Sequence, residues 1–417
     1  MRSIVVIGGG YVGLVTAVCL SEKGYDVTIL ENNIEMASEL MKGNITIFEP
    51  NLDELFLKHI NKSLNVTTDS SVISHTDSSI ICVGTPPQAD NSVDLSYVIS
   101  AISAVKQKAK SNHICILRST VPPLTYEKHL KEIVGNLSFY FWPEFIRQGK
   151  ALADWLKPDR VVYGTTHECE ELDQWLKELF PESPIYSMDI TEAETVKLVS
   201  NAYLATRISF FNTVGEICKG IGANYENVRL GVGSDSRIGI EYMEPGIGYG
   251  GSCLPKDTDY LINLAKEVGA NPTIMEASRS INEYLIGSMI NLLESKIGNL
   301  EGKKISVLGL SFNPNTDDLR NSRSVEIIKE IVKKGGIVSG YDSICEEKAR
   351  KFFSGTKSVM ITDSIDSCLA DSDACLVLNS SSEFSRLEDS MFCVMKNNVV
   401  IEGRRILNIT NKEGFLW

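Results

Sequence analysis

"VVIGGGYVGLVTA", Val5 to Ala17, is the stretch on which the fold turns. Three β-branched residues run into three glycines, and an apolar segment with helical spacing follows and ends at Gly24. Gly8, Gly10 and Gly13 stand in G-x-G-x-x-G spacing, directly after the predicted strand and opening the predicted helix. In that setting the glycines allow a tight turn and the close approach of a pyrophosphate to the helix N-terminus, where backbone N–H groups point outward. Glu31 ends the next predicted strand, "YDVTIL", eighteen residues beyond Gly13. A carboxylate there accepts both ribose hydroxyls and repels a 2′-phosphate, so NAD is expected rather than NADP. FAD is the weaker alternative, because the chain also carries a redox-competent cysteine.

Outward from this stretch, "SSIICVGTPP" and "HICILRSTVPP" read as further strands, each stopped by a pair of prolines. Strands alternating with helices imply βαβ units and a mostly parallel sheet. The pattern changes at "TEAETVKLVSNAYLATRISFFNTVGEICKGIG". There Val196, Val199, Ala202, Tyr203, Ile208, Phe211 and Val214 recur at helical spacing, which predicts one long helix. Thr191 with Glu194 reads as its capping box, and Gly220 and Gly222 as its stop. Such a helix suits a link between two halves and a packing surface for a second subunit. A second strand-helix series begins at "KKISVLGLSF" and continues through "GGIVSGYDS", "DACLVLNS" and "NNVVIEGR". The expected architecture is therefore α/β: two Rossmann-like, doubly wound parallel-sheet domains joined by a long central helix and a helical middle. The boundaries drawn are 1–190 for dinucleotide binding, 191–298 for the helical middle, and 299–417 for the second α/β domain.

The totals narrow the function. A chain of 417 residues is too long for one ordinary core, and 43% hydrophobic with 23% charged residues is a globular balance. A net charge of −13 argues against nucleic acid and against an anionic membrane surface as partners. No apolar run reaches the roughly 18 residues a membrane helix needs, and "MRSIVVIGGG" reads as a first strand rather than a leader. The expected location is the cytoplasm. The ten cysteines show no metal-ligand spacing, so no metal is expected.

One cysteine stands out: Cys253, in "GYGGSCLPKD". A thiol together with NAD suggests aldehyde oxidation, in which a thiohemiacetal becomes a thioester that water then cleaves. That chemistry needs a base for water, donors for an oxyanion and a pocket. Candidates are Glu144 in "WPEF", Thr120 in "RSTVPP", Asp257, and Lys197 with Asn201, which share a face of the long helix at i, i+4. Spacing alone leaves each with a plain alternative: a solvated helix lysine, a core amide, a turn carboxylate, a strand-end threonine, a structural thiol.

Ten ordered blocks add a resemblance over nearly the whole chain: "GGGYVGL", "VGTPP", "RSTVPP", "PEFIRQGKALAD", "PDRVVYG", "KLVSNAYLATRISFFN", "SDSRIG", "PGIGYGGSCLPKD", "SFNPNTDDLRNS" and "EGRRIL". The chain resembles the UDP-glucose/GDP-mannose dehydrogenase family of nucleotide-sugar 6-dehydrogenases. The resemblance implies a four-electron oxidation of a sugar C6 alcohol to a carboxylate with two NAD in succession. It implies Cys253 as nucleophile, Lys197 and Asn201 at the oxyanion, and Glu144, Thr120 and Asp257 around the hydrolytic water. It places Tyr11, Val12, Thr85 and Thr120 beside the cofactor along with the glycines and Glu31. Phe145, Ile146, Arg147 and Gln148 would line the substrate, with Lys197 and Asn201 touching it, and Tyr249 and Gly250 would hold the sugar. Arg404 would approach the sugar from the second α/β domain. Arg237 would reach a UDP-sugar bound in the neighbouring subunit of a homodimer.

Three positions depart from the family pattern. Gln148 stands where a Glu is usual, Asn313 where a Lys usually follows the Phe, and Glu31 where Asp is commoner. The joint loss of one acid and one base leads to two expectations: the changes offset one another, or the sugar differs from glucose. Within the family the alternatives are GDP-mannose or an N-acetylated UDP-sugar. Tyr249, and Arg207 where the mannose enzymes tend to carry Lys, lean towards UDP-glucose. Outside it, a non-catalytic nucleotide-sugar binder would lack Cys253, Lys197 or Glu144. A two-electron hydroxyacid dehydrogenase would need no thiol.

Overall fold

The computed structural model describes residues 3–88, 93–167 and 170–417. Residues up to Ser200 form one compact unit and Asn201–Trp417 a second.

The first unit is built on an eight-stranded sheet. Its strands are β1 (Ser3–Ile7), β2 (Asp26–Leu30), β3 (Leu64–Thr67), β4 (Ser78–Ile81), β5 (Ile114–Leu117), β6 (Ser138–Phe141), β7 (Val161–Gly164) and β8 (Ile185–Met188). They lie in the order β3-β2-β1-β4-β5-β6-β7-β8, and the β6–β7 pair is antiparallel where the others are parallel. The strand order reverses between β1 and β4, and a crevice at the carboxyl ends of such strands is where this architecture places ligands. Val5 and Val6 are fully buried and belong to cores on opposite faces of the sheet. A strand covered on both faces must be apolar throughout, which is why "SIVVI" does not alternate.

The second unit carries a six-stranded sheet. Its strands are β9 (Lys304–Leu308), β10 (Ile337–Tyr341), β11 (Val359–Ile361), β12 (Ala374–Val377), β13 (Val400–Glu402) and β14 (Glu413–Gly414), in the order β11-β10-β9-β12-β13-β14, all parallel. Its other half is helical: Tyr225–Gly233, Leu254–Glu267 and Thr273–Ile297 precede β9. The expected fold class holds. No described helix is long and apolar enough to cross a membrane.

The predicted long helix is present as Ile190–Ile221. Its cap is two residues earlier than the sequence suggested. Asp189 takes the first position: its Oδ1 accepts the Thr191 N–H at 2.8 Å, and Glu192 reaches back to accept the Asp189 N–H at 2.9 Å. That reciprocal pair is the capping box, of a kind that stabilises a helix by about 1 kcal/mol. Thr191 already lies inside the helix, and Glu194 is turned into the protein. The helical apolar positions also do not make one buried face. Ala202 and Phe211 are buried, whereas Tyr203, Phe210, Ile217 and Ile221 are 55–74% exposed.

Candidate active site

In the first unit the glycine turn fits a dinucleotide. A side chain on Gly13 would place its Cβ 1.9 Å from the Gly8 carbonyl oxygen, so the helix Tyr11–Glu22 can pack on β1 only with glycine there. Around Gly10 the space is open: among the described residues, its own chain neighbours aside, no atom lies within 4 Å of where its Cβ would be. Protein packing therefore explains Gly13 and leaves Gly10 to a ligand approaching the backbone. Glu31 leans over the turn, accepting the Gly9 N–H at 2.6 Å and the Asn33 N–H at 2.7 Å, one on each oxygen. A carboxylate has about four acceptor positions, so two remain for ribose hydroxyls. Thr85, after β4, donates to the Thr120 carbonyl at 2.9 Å, which joins two of the expected cofactor residues at the end of the sheet. Val12 is half-buried behind the turn.

Tyr11 faces the other way. Its hydroxyl donates to Glu49, a carboxylate the sequence reading did not single out. Glu49 also accepts the N–H of Gly149 and of Ala151, both at 2.7 Å. It thus ties the glycine turn to the end of "PEFIRQG". Burial pushes its pKa up, against the pull of these donors. Within that segment, Arg147 makes three bonds to Asp154, through N, Nε and Nη2 at 2.7–2.9 Å. Gln148 is half-buried between Arg147 and Gly149.

Glu144 and Lys197 meet as a buried ion pair at 3.1 Å, with the second Glu144 oxygen accepting the Ile146 N–H at 2.8 Å. The Lys197 ammonium also lies 5.3 Å from the centre of the Phe145 ring. Lys197 is not the solvated helix residue that composition alone allows. Three residues before it on the same helix, Glu194 accepts the Tyr126 N–H at 2.9 Å and so holds the loop that follows Thr120. Burial pushes the Glu194 pKa up to about 8, opposed by backbone donors at Tyr126, Leu124 and Thr125.

In the second unit Cys253 is the N-cap of the helix Leu254–Glu267, exposed, with the Ser252 hydroxyl 3.6 Å from its sulfur. A helix N-terminus favours the thiolate. One turn on, Asp257 is buried. It accepts from the Asn201 amide at 2.6 Å and pairs with Lys256 at 3.0 Å. Arg320 pairs with Asp318 at 2.6 Å and feels the charge of Cys253, which raises its pKa further. Arg320 sits inside "DDLRNS", a block quoted above without a role for this arginine.

The approach to the cysteine explains its glycines. A side chain on Gly250 would meet the Asn321 carbonyl oxygen at 2.3 Å. Tyr249 is clamped by Asn282, which accepts its N–H at 2.8 Å and donates to its carbonyl at 3.0 Å, and its side chain is buried. Arg404 donates to the Gly248 carbonyl at 2.6 Å. Burial, helped by Arg323, pushes its pKa down to about 10, still far above neutrality. Tyr249, Gly250 and Arg404 are therefore brought together. Arg237 stands elsewhere, 86% exposed and paired with Asp235.

The same order of parts appears in known proteins. Three domains described as belonging to the UDP-glucose/GDP-mannose dehydrogenase family match in sequence: the NAD-binding domain over residues 2–183, the central domain over 191–284 and the UDP-binding domain over 306–409. The chain belongs to the UDP-glucose/GDP-mannose dehydrogenase family. It is an NAD-dependent oxidoreductase. Among its relatives, the UDP-glucose 6-dehydrogenase AglM of Haloferax volcanii is 35% identical, covering 98% of this chain and 97% of that one. The UDP-glucose 6-dehydrogenase TuaD of Bacillus subtilis is 36% identical, over 100% and 92%. Among solved structures, the UDP-glucose dehydrogenase of Pyrobaculum islandicum aligns with a TM-score of 0.91 at 34% identity, covering 100% of this chain and 98% of that one. The UDP-D-ManNAc dehydrogenase of Pyrococcus horikoshii aligns at 0.86 and 27% identity, over 100% and 99%. As a member of this family the chain uses NAD, and the open side of Gly10 and the two remaining acceptor positions of Glu31 fit it.

Proposed function

We propose that the protein oxidises the C6 alcohol of UDP-glucose to the carboxylate: UDP-glucose, two NAD⁺ and water give UDP-glucuronate, two NADH and released protons. Gly8, Gly10, Tyr11, Val12, Gly13, Glu31, Thr85 and Thr120 hold NAD, which when bound accepts a hydride in each half of the reaction. Cys253 attacks the intermediate aldehyde, so that a C–S bond forms as the carbonyl π bond opens to an oxyanion. Lys197 and Asn201 stabilise that oxyanion. The thiohemiacetal is oxidised to a thioester, and water cleaves the C–S bond to return the thiolate and release the carboxylate. Glu144, with Thr120 and Asp257, takes the proton from that water. Phe145, Ile146, Arg147 and Gln148 line the substrate, and Tyr249, Gly250 and Arg404 hold its sugar. The observation that carries this reading is the exposed Cys253 at a helix N-terminus, one turn from the Asp257–Asn201 pair.

The working unit in this reading is a homodimer in the cytoplasm, with Arg237 of each subunit reaching the neighbouring site. Residues 1–190 bind the cofactor, 191–298 pair the subunits and carry the thiol, and 299–417 bind the UDP-sugar. The stripe of Tyr203, Phe210 and Ile217, repeating every seven residues on the long helix, supports a helix seam.

The test is to count NADH per sugar consumed with UDP-glucose, beside Cys253→Ser. Two NADH per sugar, and a loss of at least about a thousandfold in the variant, are expected. Turnover confined to GDP-mannose or an N-acetylated UDP-sugar would move the substrate and keep the chemistry. The likeness to a UDP-D-ManNAc dehydrogenase, together with Gln148 and Asn313, makes the N-acetylated sugar the alternative to try first. One NADH per sugar would sink the thioester route.

A further inference from the structure

Arg207 lies on the long helix, and all of its donor groups face a single loop. Its Nε donates to the Glu241 carbonyl at 2.7 Å, its Nη1 to Ile238 at 2.9 Å and its Nη2 to Gly239 at 2.7 Å. The guanidinium carbon lies 5.7 Å from the centre of the buried Phe211 ring on the same helix, which braces it from one side. Three carbonyl oxygens converging on one point repel each other unless a cation sits between them. The loop that supplies them follows the helix Tyr225–Gly233 and begins with its own staple, in which the Asp235 carbonyl accepts the N–H groups of Ile238 and Gly239, both at 2.9 Å. Between staple and fork stands Arg237. Its guanidinium extends into solvent and, among the described residues, meets Asp235 through Nε and Nη2. An exposed pair of that kind holds its arginine weakly, so a diphosphate can take the place of Asp235.

We infer that Arg207 is the positioning residue for the loop that carries Arg237, and that through it Arg207 sets how tightly the diphosphate of the nucleotide sugar is bound. The inference rests on the reading of Arg237 as a substrate contact. The loop is fixed at its root by a planar fork and left open at its tip. A lysine at 207 keeps the charge, but a single ammonium cannot match three carbonyls spaced to a guanidinium.

The experiment compares the full-length protein with Arg207→Lys, Arg237→Ala and the double variant, using UDP-glucose with NAD in excess, and measures UDP binding by calorimetry. Arg207→Lys is expected to raise KM for UDP-glucose and Kd for UDP about tenfold, with kcat and KM for NAD within about twofold of wild type. In the Arg237→Ala background it should add nothing further, because the loop then presents no arginine to place. Additive effects of the two changes, or a wild-type Kd in Arg207→Lys, overturn the inference while leaving Arg237 in its role. Should the lysine variant melt early, Arg207→Gln is measured below its own melting temperature, and wild-type UDP affinity there likewise overturns it. A silent Arg237→Ala removes the reading of Arg237 and the inference with it.

Discussion

The first strand of each sheet ends at a glycine whose N–H donates to the last carbonyl of the strand beside it: Gly8 to Leu30, and Gly309 to Tyr341, both at 2.9 Å. After each of those second strands comes a carboxylate, Glu31 in one unit and Asp342 in the other. From there the two units diverge. In the first, the helix opens at Tyr11, directly after the glycines, and Glu31 spends one bond on each oxygen, to Gly9 and Asn33. In the second, the chain runs through "GLSFNPNTDDLRNS" before the helix Arg323–Lys333 begins. Asp342 is buried there. One oxygen accepts from the N–H groups of Leu310 and Ser311, the Ser311 hydroxyl and the Asn379 amide, and the other from the N–H groups of Ile344 and Cys345. One crossover geometry thus produces a carboxylate left open to a ligand and a carboxylate used as an internal bolt. In the reading proposed above, the acid at the end of the second strand is left for a ribose only where the glycine turn opens straight into a helix.

Gly13→Ala attacks the feature that only the first turn has, and the largest effect is expected there. The new methyl would sit 1.9 Å from a backbone carbonyl that the strand and helix hold in place. A stability loss of about 3 kcal/mol, read by urea unfolding, is expected, together with loss of NADH binding by fluorescence titration. Wild-type stability would break the claim that helix and turn must touch.

Asp342→Asn against Glu31→Gln tests the two carboxylates directly. Asparagine turns one acceptor oxygen into a donor among donors, which should cost about 2–3 kcal/mol. Glu31 has solvent beside it, so its amide variant should lose less than about 1 kcal/mol. Instead, Glu31→Gln should narrow the preference for NAD over NADP, measured as a ratio of kcat/KM values. Equal stability losses in the two variants would mean that Glu31 is also a bolt.

The same contrast shows what the sequence can carry. Val5–Ile7 and Ile305–Leu308 are legible as strands because burial on both faces favours apolar runs, interrupted in the second only by Ser306, whose buried hydroxyl is hydrogen-bonded to Cys368 and Ser372. The strands that reading passed over include β3, β8 and β14, at the sheet ends. The "IYSM" of β8 exposes Tyr186, and β14 has two residues, so neither has a pattern to see. The site divides in the same way. Glycines and Cys253 carry local signals, and the ten ordered blocks assign roles that spacing left open. Glu49 and Arg320 carry none, and the signals at Glu194 and Arg207 point to other roles than the ones the fold gives them. Glu49 meets Gly149 across a hundred residues of chain and Arg207 meets Ile238 across thirty-one, and only the folded backbone makes those pairs. The misplaced capping box has a similar cause. A Thr with a Glu three residues on is an N-terminal signature, and so is the Asp189 and Glu192 pair two residues earlier. The need to point Glu194 at the Tyr126 N–H selects the earlier one.

Gly10→Ala should have the smallest effect on stability and sharpens the comparison most. Gly10 has φ −72° and ψ −171°, an extended conformation that alanine adopts without strain, and its Cβ would enter open space. Stability within about 0.5 kcal/mol of wild type is therefore expected, with any gain coming from a less flexible unfolded chain. NADH affinity should nonetheless fall at least about tenfold, because the methyl occupies the ground over which a pyrophosphate meets the N–H groups of the helix. Calorimetry with NADH on a variant that unfolds like the wild type separates these two effects. If the affinity is unchanged, the dinucleotide does not cross this turn. The open side of Gly10 would then be as incidental as the solvent beside any surface glycine.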